Sequence, residues 1–423
     1  MKHLIIRNIE PITDVDIELK CINLLIGLQS SGKSTVNKIA CYCSWVEKEI
    51  CAAQSPAYFE KKGIFENRLV VFHKLERFIH PDAYIEYETD VVRFSFSKSS
   101  EIFQFEWKER WRYIRPKTIY ILSERNIVAI IPNWFDVKLE ENNIRSFMSD
   151  WEEAHSYYAG TPIGILNLGV NYSFEKTNRH DTIRLKNQQT IDFTIASSGL
   201  QSIVTLLVIL LYVTEGVYNE KKRDSVSLET INNKLIWEIY NEMKRRFNER
   251  GHSTRQKNEH VLSVAKGNQI YTFYDKNDVD YFNQLTSNFM LPQYSNIFLE
   301  EPELNLYLIT QRELINYLAK LTNDKRRHNV FITIHSPYLL TSLNNLLYAA
   351  KVSTTQKDAV KEIVPLKCWV RFEDVGVWFV KNGKLSSILD KDLQQIKAEK
   401  IDEVSRQLDR DYDKLMNLEY EVD

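Results

Sequence analysis

The chain has 423 residues, with 55 lysines and arginines against 57 aspartates and glutamates, so its charge is nearly balanced. This balance argues against a protein coated with positive charge for nucleic acid, although it is compatible with a local basic patch. The five cysteines form no C-x-x-C pair, which argues against disulfides and a zinc site and favours a reducing cytoplasm.

Two segments bear on targeting and membranes. Residues 1–7 are charged and strand-like, unlike a signal peptide. The most apolar run, residues 203–213, is too short to cross a bilayer and is interpreted as a core helix. The sequence therefore predicts a soluble, cytoplasmic protein without a membrane partner.

In chain order, the first half predicts strands, one long helix and then more strands. The first 27 residues predict three short strands, and a helix is expected over 35–50. Period-two alternation between residues 83 and 105 predicts an antiparallel meander with one face exposed to solvent. The remaining elements are a buried strand over 118–122, a helical region with Trp134 and Trp151, and short strands over 164–195.

The second half predicts two long helices followed by alternating strands and helices. The helices are expected over 198–218 and 228–250, with a polar loop over 250–266. The later elements are strands at 296–299, 329–334, 368–372 and 375–380, helices at 308–321 and 336–348, and a charged C-terminal helix. This alternation indicates the α/β class.

A glycine-rich loop joins the third strand to the first helix. Residues 27–35 read Gly-Leu-Gln-Ser-Ser-Gly-Lys-Ser-Thr, a complete G-x-x-x-x-G-K-[ST] phosphate loop. Glycines let successive N–H groups face a polyphosphate, Lys33 can reach the β- and γ-phosphates, and the Ser34 hydroxyl can hold Mg²⁺. The candidate nucleotide-binding residues are Gly27, Gln29, Ser30, Ser31, Gly32, Lys33, Ser34 and Thr35. The sequence therefore predicts binding of a nucleoside triphosphate.

A second apolar strand ends in paired carboxylates. Residues 296–303 read Asn-Ile-Phe-Leu-Glu-Glu-Pro-Glu, the form of a Walker B strand. Beside a phosphate loop, Glu300 can bind Mg²⁺ and Glu301 can polarise an attacking water as the general base. An ordinary strand that ends in an acidic turn is the alternative.

The next predicted strand, residues 329–334, ends in a histidine. As a parallel neighbour of the Walker B strand, it would place His335 at the same edge of the sheet, within reach of a γ-phosphate. A structural histidine is the alternative. At the start of the long helix, residues 196–202 read Ala-Ser-Ser-Gly-Leu-Gln-Ser, where Ser198 and Gly199 could form an anion site. An ordinary helix N-cap explains that spacing equally well.

In this order the motifs resemble those of an ABC-type ATPase, with Walker A, signature, catalytic glutamate and switch histidine. Residues 198–201 then align with the S-G-G-Q part of the L-S-G-G-Q signature. The resemblance implies ATP and Mg²⁺ as ligands, hydrolysis to ADP and phosphate, and a head-to-tail dimer. In that dimer Ser198 and Gly199 act in trans on the γ-phosphate of the other subunit, and Gln201 supports the loop.

The chain departs from transporter ATPases at two motif positions. Glu300 stands where transporters have Asp, and Leu200 replaces a signature Gly. The Glu-Glu-Pro-Glu, Ser-Ser-Gly-Leu-Gln-Ser and Ile-His-Ser-Pro runs are instead similar to SMC-like ATPases of the OLD and RecF kind. The coiled coil and C-x-x-C hook of long SMC proteins do not occur in the sequence.

The resemblance implies a P-loop NTPase of the ABC ATPase type with an antiparallel β meander and an inserted helical region. Its expected parts are the N-terminal core (1–50), an insert of antiparallel strands and helices (51–190), the signature helix with a helical subdomain (191–290), the C-terminal core (291–385) and a charged C-terminal helix (386–423).

No nuclease pattern stands out beside the ATPase motifs. Asp390-Lys391-Asp392 has the D-x-D form of a Toprim site but is interpreted as the start of a solvated helix. The chain thus resembles the stand-alone ATPase subunits of anti-phage systems such as Septu, PARIS and nuclease-associated retrons. This implies a homodimer or higher assembly of dimers that controls a separate nuclease or toxin. The alternatives are a RecF-like DNA-repair ATPase and an ATP-bound scaffold with slow turnover.

Two charged groups receive weaker assignments. Lys244, Arg245 and Arg246, with basic residues at 250, 255 and 257, are candidates for DNA binding. Interleaved glutamates favour a solvated helix face instead. Glu124-Arg125 could lie near the nucleotide, where an ABC-type ATPase has its Q-loop, and a structural ion pair is an equally good interpretation.

Overall fold

The structure, a computed structural model, describes residues 2–219, 226–249, 262–267, 269–397 and 409–416. Its strands are β1 (Lys2–Ile9), β2 (Ile12–Leu19), β3 (Ile22–Gly27), β4 (Ile79–Glu88), β5 (Val92–Ser97), β6 (Ile102–Trp107), β7 (Pro116–Ile121), β8 (Ile163–Gly164), β9 (Asn171–Glu175), β10 (His180–Arg184), β11 (Thr190–Asp192), β12 (Leu262–Lys266), β13 (Gln269–Phe273), β14 (Tyr294–Glu300), β15 (Asn329–Ile334), β16 (Val375–Lys381), β17 (Lys384–Ser387), β18 (Leu389–Asp390) and β19 (Gln395–Ile396).

The helices are interspersed among these strands. They are α1 (Lys33–Ala53), α2 (Ile64–His73), α3 (Ile127–Ile130), α4 (Asn143–Tyr157), α5 (Ser198–Thr214), α6 (Val226–Glu249), α7 (Lys276–Met290), α8 (Leu308–Thr322), α9 (Pro337–Val352) and α10 (Lys357–Ile363). The fold is a mixed α/β arrangement, as the sequence predicts.

An eleven-stranded sheet runs through the molecule in the order β6-β5-β4-β1-β2-β17-β16-β3-β15-β14-β7. One half is parallel: β3 lies between β16 and β15, and β14 lies between β15 and β7. The other half is the predicted antiparallel meander, β4 to β6, joined to β1 and β2. Residues 22–26 of β3 are all buried, which is typical of a parallel strand covered on both faces.

Helices cover both faces of the parallel half. On one face, Ser44 of α1 lies 2.9 Å from the Asn296 amide and 3.2 Å from the Thr118 hydroxyl. On the other face, Ser295 donates to the carbonyl of Val213 in α5. Because neighbouring residues of a strand point to opposite faces, Ser295 and Asn296 place α5 and α1 on opposite sides of β14.

Helix α5 is the apolar core helix predicted from residues 203–213. Together with the turn that follows it, the segment Ser198–Tyr218 has the length and composition to cross a membrane. However, 78% of this segment's apolar window is buried inside the fold. Packing against β14 and α4 therefore accounts for its apolar composition.

The segment after β16 differs from the predicted helix over 386–423, because its first part forms strands. Residues 384–396 contain strands β17, β18 and β19, and among the described residues a helix begins only at 409. Asn382 and Gly383 both have positive φ, 50° and 72°, and turn the chain so that β17 pairs with β16. An Asn-Gly pair between strands is a strong hairpin signal, so this turn could have been found in the sequence.

Three further predictions differ from the structure. Residues 366–368 and 372–374 form 3₁₀ turns in place of a strand over 368–372, because N–H groups such as that of Cys368 bond locally to carbonyls. Residues 262–266, expected in a loop, form β12 and pair with β13. Strands β4 to β7, within the predicted 51–190 insert, all join the main sheet.

A buried histidine joins β14 to the loop that precedes β15. The Nδ1 atom of His328 accepts a hydrogen bond from the Ser295 N–H at 3.0 Å, and the side chain is completely buried. Burial lowers the pKa of His328 to about 4, so the imidazole is neutral at neutral pH.

Candidate functional site

The predicted motifs meet at the carboxyl edge of the parallel strands. Ile26 of β3 pairs with Ile334 of β15, and Glu300 of β14 pairs with Thr333 of β15. The phosphate loop, His335 and the Walker B glutamates therefore follow three adjacent parallel strands. Strand β15 is the parallel neighbour of β14 that the sequence predicts, and it places His335 at the same edge as the glutamates.

Two glycines of the phosphate loop occupy positions where a side chain would not fit. A Cβ on Gly27 would lie 2.4 Å from the carbonyl oxygen of Val380 in β16. Gly32 has φ +101°, and a Cβ there would lie 2.4 Å from Cδ1 of Ile12. The loop thus curls tightly against β16 and β2, as a phosphate-binding loop requires.

Lys33 begins α1 and is folded back onto its own loop. Its ammonium donates to the carbonyls of Gly27 and Leu28, both at 2.8 Å. Burial lowers its pKa, while the carboxylates of Glu301 and Glu303 oppose that shift. Lys33 is therefore held among the groups that would surround a polyphosphate.

The loop's other predicted residues lie around the N-terminus of α1. Gln29 and Ser30 are exposed, Ser34 is half-buried, and the Thr35 hydroxyl donates to the Glu10 carbonyl at 3.4 Å. The Ser31 hydroxyl is buried and has no hydrogen-bond partner among the described residues. An unpaired hydroxyl in a curled loop at a helix N-terminus fits a phosphate ligand.

The two Walker B glutamates differ in their surroundings. Glu300 is buried and accepts a hydrogen bond from the Tyr120 hydroxyl at 2.6 Å. Glu301 is half-buried, and its carboxylate lies 3.0 Å from Nε2 of His335. Glu301 also has φ 41°, an uncommon conformation for a residue with a side chain. The geometry brings the predicted general base and the predicted switch histidine into direct contact.

A third glutamate, to which the sequence assigned no role, organises the histidine. One carboxylate oxygen of Glu303 accepts from the backbone N–H groups of His335 and Ser336. The other oxygen, Oε2, is buried without a partner among the described residues. Burial raises the pKa of Glu303, although the two backbone N–H donors oppose the rise. The position of Glu303 in the Glu-Glu-Pro-Glu run is the sequence signal that could have revealed this role.

Arg125 is completely buried beneath the Walker B turn. Its guanidinium donates to the carbonyls of Leu122 at 2.9 Å, Glu300 at 3.0 Å and Glu301 at 2.7 Å. Burial lowers its pKa to about 10, and the nearby glutamates limit the shift. Arg125 therefore remains charged at neutral pH and fixes the backbone that carries both glutamates.

The signature residues lie at the N-terminus of α5. Ser198 is exposed, whereas the Gln201 side chain is buried and donates to the carbonyls of Phe193 and Thr194. A Cβ on Gly199 would lie 2.6 Å from the carbonyl oxygen of Asn305, in the loop after the Walker B glutamates. The N-cap interpretation holds for Ser197, whose hydroxyl accepts from the Leu200 N–H at 3.4 Å.

The basic cluster lies on α6. Both Arg245 and Arg246 bond to the carboxylate of Glu242, and Lys244 lies over the ring of Tyr240 at 4.5 Å. The predicted basic residues at 250, 255 and 257 lie outside the described residues. Glu242 thus offsets part of the charge that a nucleic-acid interface would need.

Comparison with known proteins gives neighbours of low similarity. No family model and no curated protein matches the chain. Among solved structures it is similar to the SMC head domain from Thermotoga maritima, at 10% identity and a TM-score of 0.37, covering 91% of this chain and 97% of that one.

Two further solved structures are similar to the chain. One is the Smc head domain with an extended coiled coil bound to the C-terminal domain of ScpA, from Pyrococcus furiosus, at 10% identity, TM-score 0.29 and coverage of 96% and 100%. The other is the recombination mediator protein RecF, at 9% identity, TM-score 0.27 and coverage of 91% and 97%. TM-scores of 0.27 to 0.37 decide nothing about family or function.

Proposed function

We propose that the chain is an ATP-binding and ATP-hydrolysing enzyme of the ABC type, SMC-like in kind. The observation that carries the proposal is the Glu301–His335 contact at 3.0 Å. His335 follows β15, the parallel neighbour of the strand that leads into the phosphate loop, and Glu301 follows β14, the next strand in the sheet. A carboxylate and an imidazole at this position can accept the proton of an attacking water and orient that water toward a terminal phosphate.

The other side chains have distinct roles in this proposal. Lys33 would exchange its two loop carbonyls for the β- and γ-phosphate oxygens of ATP. Ser34 and Glu300 would hold Mg²⁺, which neutralises charge on the phosphates when it is bound. Arg125 and Glu303 keep the glutamates and His335 in place through backbone hydrogen bonds.

We propose further that two copies share each site, with Ser198 and Gly199 of one copy facing the ATP of the other. The support is an exposed helix N-terminus at Ser198 together with apolar side chains left uncovered near the motifs. Leu28, Ile195 and Tyr307 are 73%, 75% and 76% exposed. Apolar residues exposed around a functional site favour burial against another protein surface.

The test of the catalytic assignment is Glu301→Gln, which keeps the size of the side chain and removes the base. We expect ATP turnover to fall by about 10² to 10⁴ while ATP is still bound. Glu313→Gln is the control, because the half-buried Glu313 of α8 pairs with Arg312, and this variant should turn over ATP at the wild-type rate. Unchanged turnover in Glu301→Gln would refute the role of Glu301.

The shared site is tested by mixing two inactive variants, Lys33→Ala and Ser198→Arg. Each homodimer lacks one part of both sites, whereas a mixed dimer contains one complete site. If dimers form at random, the mixture should recover about a quarter of the wild-type turnover. No recovery, with mixed dimers demonstrated by native mass spectrometry, would show that the signature does not act in trans.

As a finer step, we propose that the ATPase dimer, alone or in a higher assembly, is the sensor and regulator subunit of an anti-phage complex. The support is the resemblance of its motifs to those of stand-alone defence ATPases. Co-expression with the products of the neighbouring genes should co-purify a nuclease or toxin, whose activity changes in Glu301→Gln. The absence of any such partner would overturn this step without affecting the ATPase proposal.

Two other results of ATPase and nucleotide-binding assays would favour the alternative functions. Turnover stimulated by DNA and lost on neutralising Lys244, Arg245 and Arg246 would favour a RecF-like repair ATPase. Bound, unhydrolysed ATP in the purified wild-type protein would favour a scaffold with slow turnover.

A further inference from the structure

A cleft of about 620 Å³ opens beside the edge strand β7. Its walls come from α1, α2, β7 and the N-terminal turns of α4. The rim is exposed and includes Arg68 and Arg145, whereas the floor is buried and includes His73, Tyr120 and Asn143. Small-molecule sites have volumes of about 300 to 1,000 Å³, so the cleft is large enough for one.

The cleft is separate from the phosphate loop. Its residues on α1 lie between positions 41 and 48, about two turns or more beyond Lys33. An occupant of the cleft would therefore leave the phosphate loop accessible to ATP.

Positive charge exceeds negative charge along the cleft. Four cationic side chains and two carboxylates line it: Lys48, Arg68, Lys117, Arg145, Glu141 and Asp150. Lys117 bonds to Asp150 at 2.9 Å, which pairs one cation with one carboxylate. Lys48 pairs with Glu49 at 3.4 Å. The two rim arginines, Arg68 and Arg145, stand on different helices, an arrangement that suits an anion lying between them.

The electrostatics of Lys48 agree with an anionic occupant. Burial lowers the pKa of Lys48, and the nearby Arg115 and Lys117 lower it further, although Glu49 opposes them. A negative charge in the cleft would favour the charged form of Lys48.

The floor of the cleft holds polar atoms without partners. His73 is 1% exposed and Asn143 is 4% exposed. Within the described part of the chain, neither Nδ1 of His73 nor Oδ1 of Asn143 has a hydrogen-bond partner. Since buried polar atoms are nearly always paired, two such atoms lining one cleft indicate a ligand with hydrogen-bonding groups.

Tyr120 connects this floor to the proposed metal ligand. Its ring packs edge-on against His73, with 5.3 Å between the ring centroids. Its hydroxyl donates to the Glu300 carboxylate at 2.6 Å. A ligand on the floor of the cleft is therefore separated from Glu300 by one side chain.

We propose that the cleft binds a nucleoside monophosphate and that Tyr120 transmits this binding to Glu300. Arg68 and Arg145 bind the phosphate, because guanidinium groups match phosphate oxygens in geometry and charge. The base packs against the aromatic side chains of Trp45 and Phe72, which also line the cleft. A divalent cation is a poorer occupant, because the lining cations outnumber the carboxylates.

The binding step is tested by calorimetric titration of the full chain carrying Lys33→Ala, which disables the phosphate loop. AMP, GMP, CMP and UMP are each titrated. We expect at least one to bind, with a dissociation constant raised about tenfold or more by Arg68→Gln with Arg145→Gln. Arg145→Glu alone, on the exposed rim, should show the same effect.

Arg112→Gln is the matched control, because Arg112 is an exposed arginine outside the cleft, paired with Glu109. It should leave the titration unchanged. Failure of all four nucleotides to bind, or binding that is indifferent to the Arg68 and Arg145 changes, would overturn the proposal.

The transmission step rests on the proposed ATPase function, whereas the binding step does not. With the wild-type phosphate loop, the bound monophosphate should change ATP turnover about threefold or more. Tyr120→Phe should still bind the monophosphate but abolish this change. An equal response in wild type and Tyr120→Phe would refute transmission through Tyr120, and absence of turnover in both would refute only the proposed function.

Discussion

Replacing the buried Arg125 by methionine should uncouple the Walker B turn from the rest of the sheet. Methionine matches the arginine side chain as far as Nε and has no donors, so the carbonyls of Leu122, Glu300 and Glu301 lose their charged partner. Three hydrogen bonds to a charged group contribute about 5 to 9 kcal/mol in total. The drop of the Arg125 pKa from 12.5 to about 10 corresponds to about 3 kcal/mol against the buried charge.

The difference predicts that Arg125→Met lowers the free energy of unfolding by about 2 to 6 kcal/mol. Urea denaturation followed by tryptophan fluorescence measures this loss. Arg371→Met is the control, because Arg371 is an exposed partner of Asp374 and such pairs contribute about 0 to 1 kcal/mol. A loss in Arg125→Met no larger than in the control would refute the reasoning.

The kinetics of Arg125→Met separate the positioning role of Arg125 from its contribution to stability. Because Arg125 holds the carbonyl of Glu301, which has φ 41°, its loss lets this proposed general base move. We expect kcat to fall about tenfold or more while the KM for ATP stays unchanged, since a small displacement of a catalytic group costs rate more than binding. A rise in KM with unchanged kcat would contradict the positioning role.

Three further predictions concern single residues. Gly32→Ala should destabilise the fold by about 1 to 3 kcal/mol and weaken ATP binding, because a Cβ at φ +101° would meet Ile12; thermal denaturation and nucleotide titration measure both. Gly199→Ala should lower ATP turnover but not ATP affinity, because its Cβ would displace the Asn305 carbonyl and shift the signature; steady-state kinetics measures the split. The pKa of His328 is lowered from 6.5 to about 4, so its contribution to the free energy of unfolding is fully present above pH 6.5 and is lost as the pH falls toward 4. The loss amounts to about 3 kcal/mol. Urea denaturation at several pH values measures this loss, which His328→Gln should reduce.

Each of these three predictions has a matched control. Gly63→Ala has similar backbone strain with no atom nearby, so a loss equal to that of Gly32→Ala would exclude the clash as the cause. Gly164→Ala, with only an ordinary contact, should keep wild-type turnover. The exposed His180 controls for histidine replacement. If His328→Gln and wild type lost equal stability between pH 7 and 4, the buried imidazole would not be the titrating group.

The motifs were predictable because each depends on residue types in a short stretch. Gly32 and Lys33 follow a buried and largely apolar strand, Glu300 ends a second such strand, and His335 directly follows a third. Continuous apolar strands are typical of a parallel sheet, and parallel strands bring their ends to one edge. The apolar pattern within each strand therefore predicted that residues far apart in the sequence lie close together at one edge of the sheet.

Contacts between distant segments were not predictable in the same way. Arg125 binds carbonyls about 175 residues further along the chain, and the residues around it in the sequence do not indicate which carbonyls it contacts. Helix α2 was missed because its apolar residues follow no clear helical face. The hydroxyl of Tyr120 reaches Glu300 only because β7 lies beside β14, a strand order that composition alone does not determine.

The position of β3 in the sheet has a consequence for protein synthesis. The strand that carries the phosphate loop is translated with α1 directly behind it, yet both of its neighbours, β15 and β16, are translated more than 300 residues later. The carbonyl of Val380, which packs closely against Gly27, is also made only after this interval. A nascent chain therefore carries the phosphate loop without the sheet that shapes it until β15 and β16 have been made, and the proposed nucleotide can assist folding only after that point.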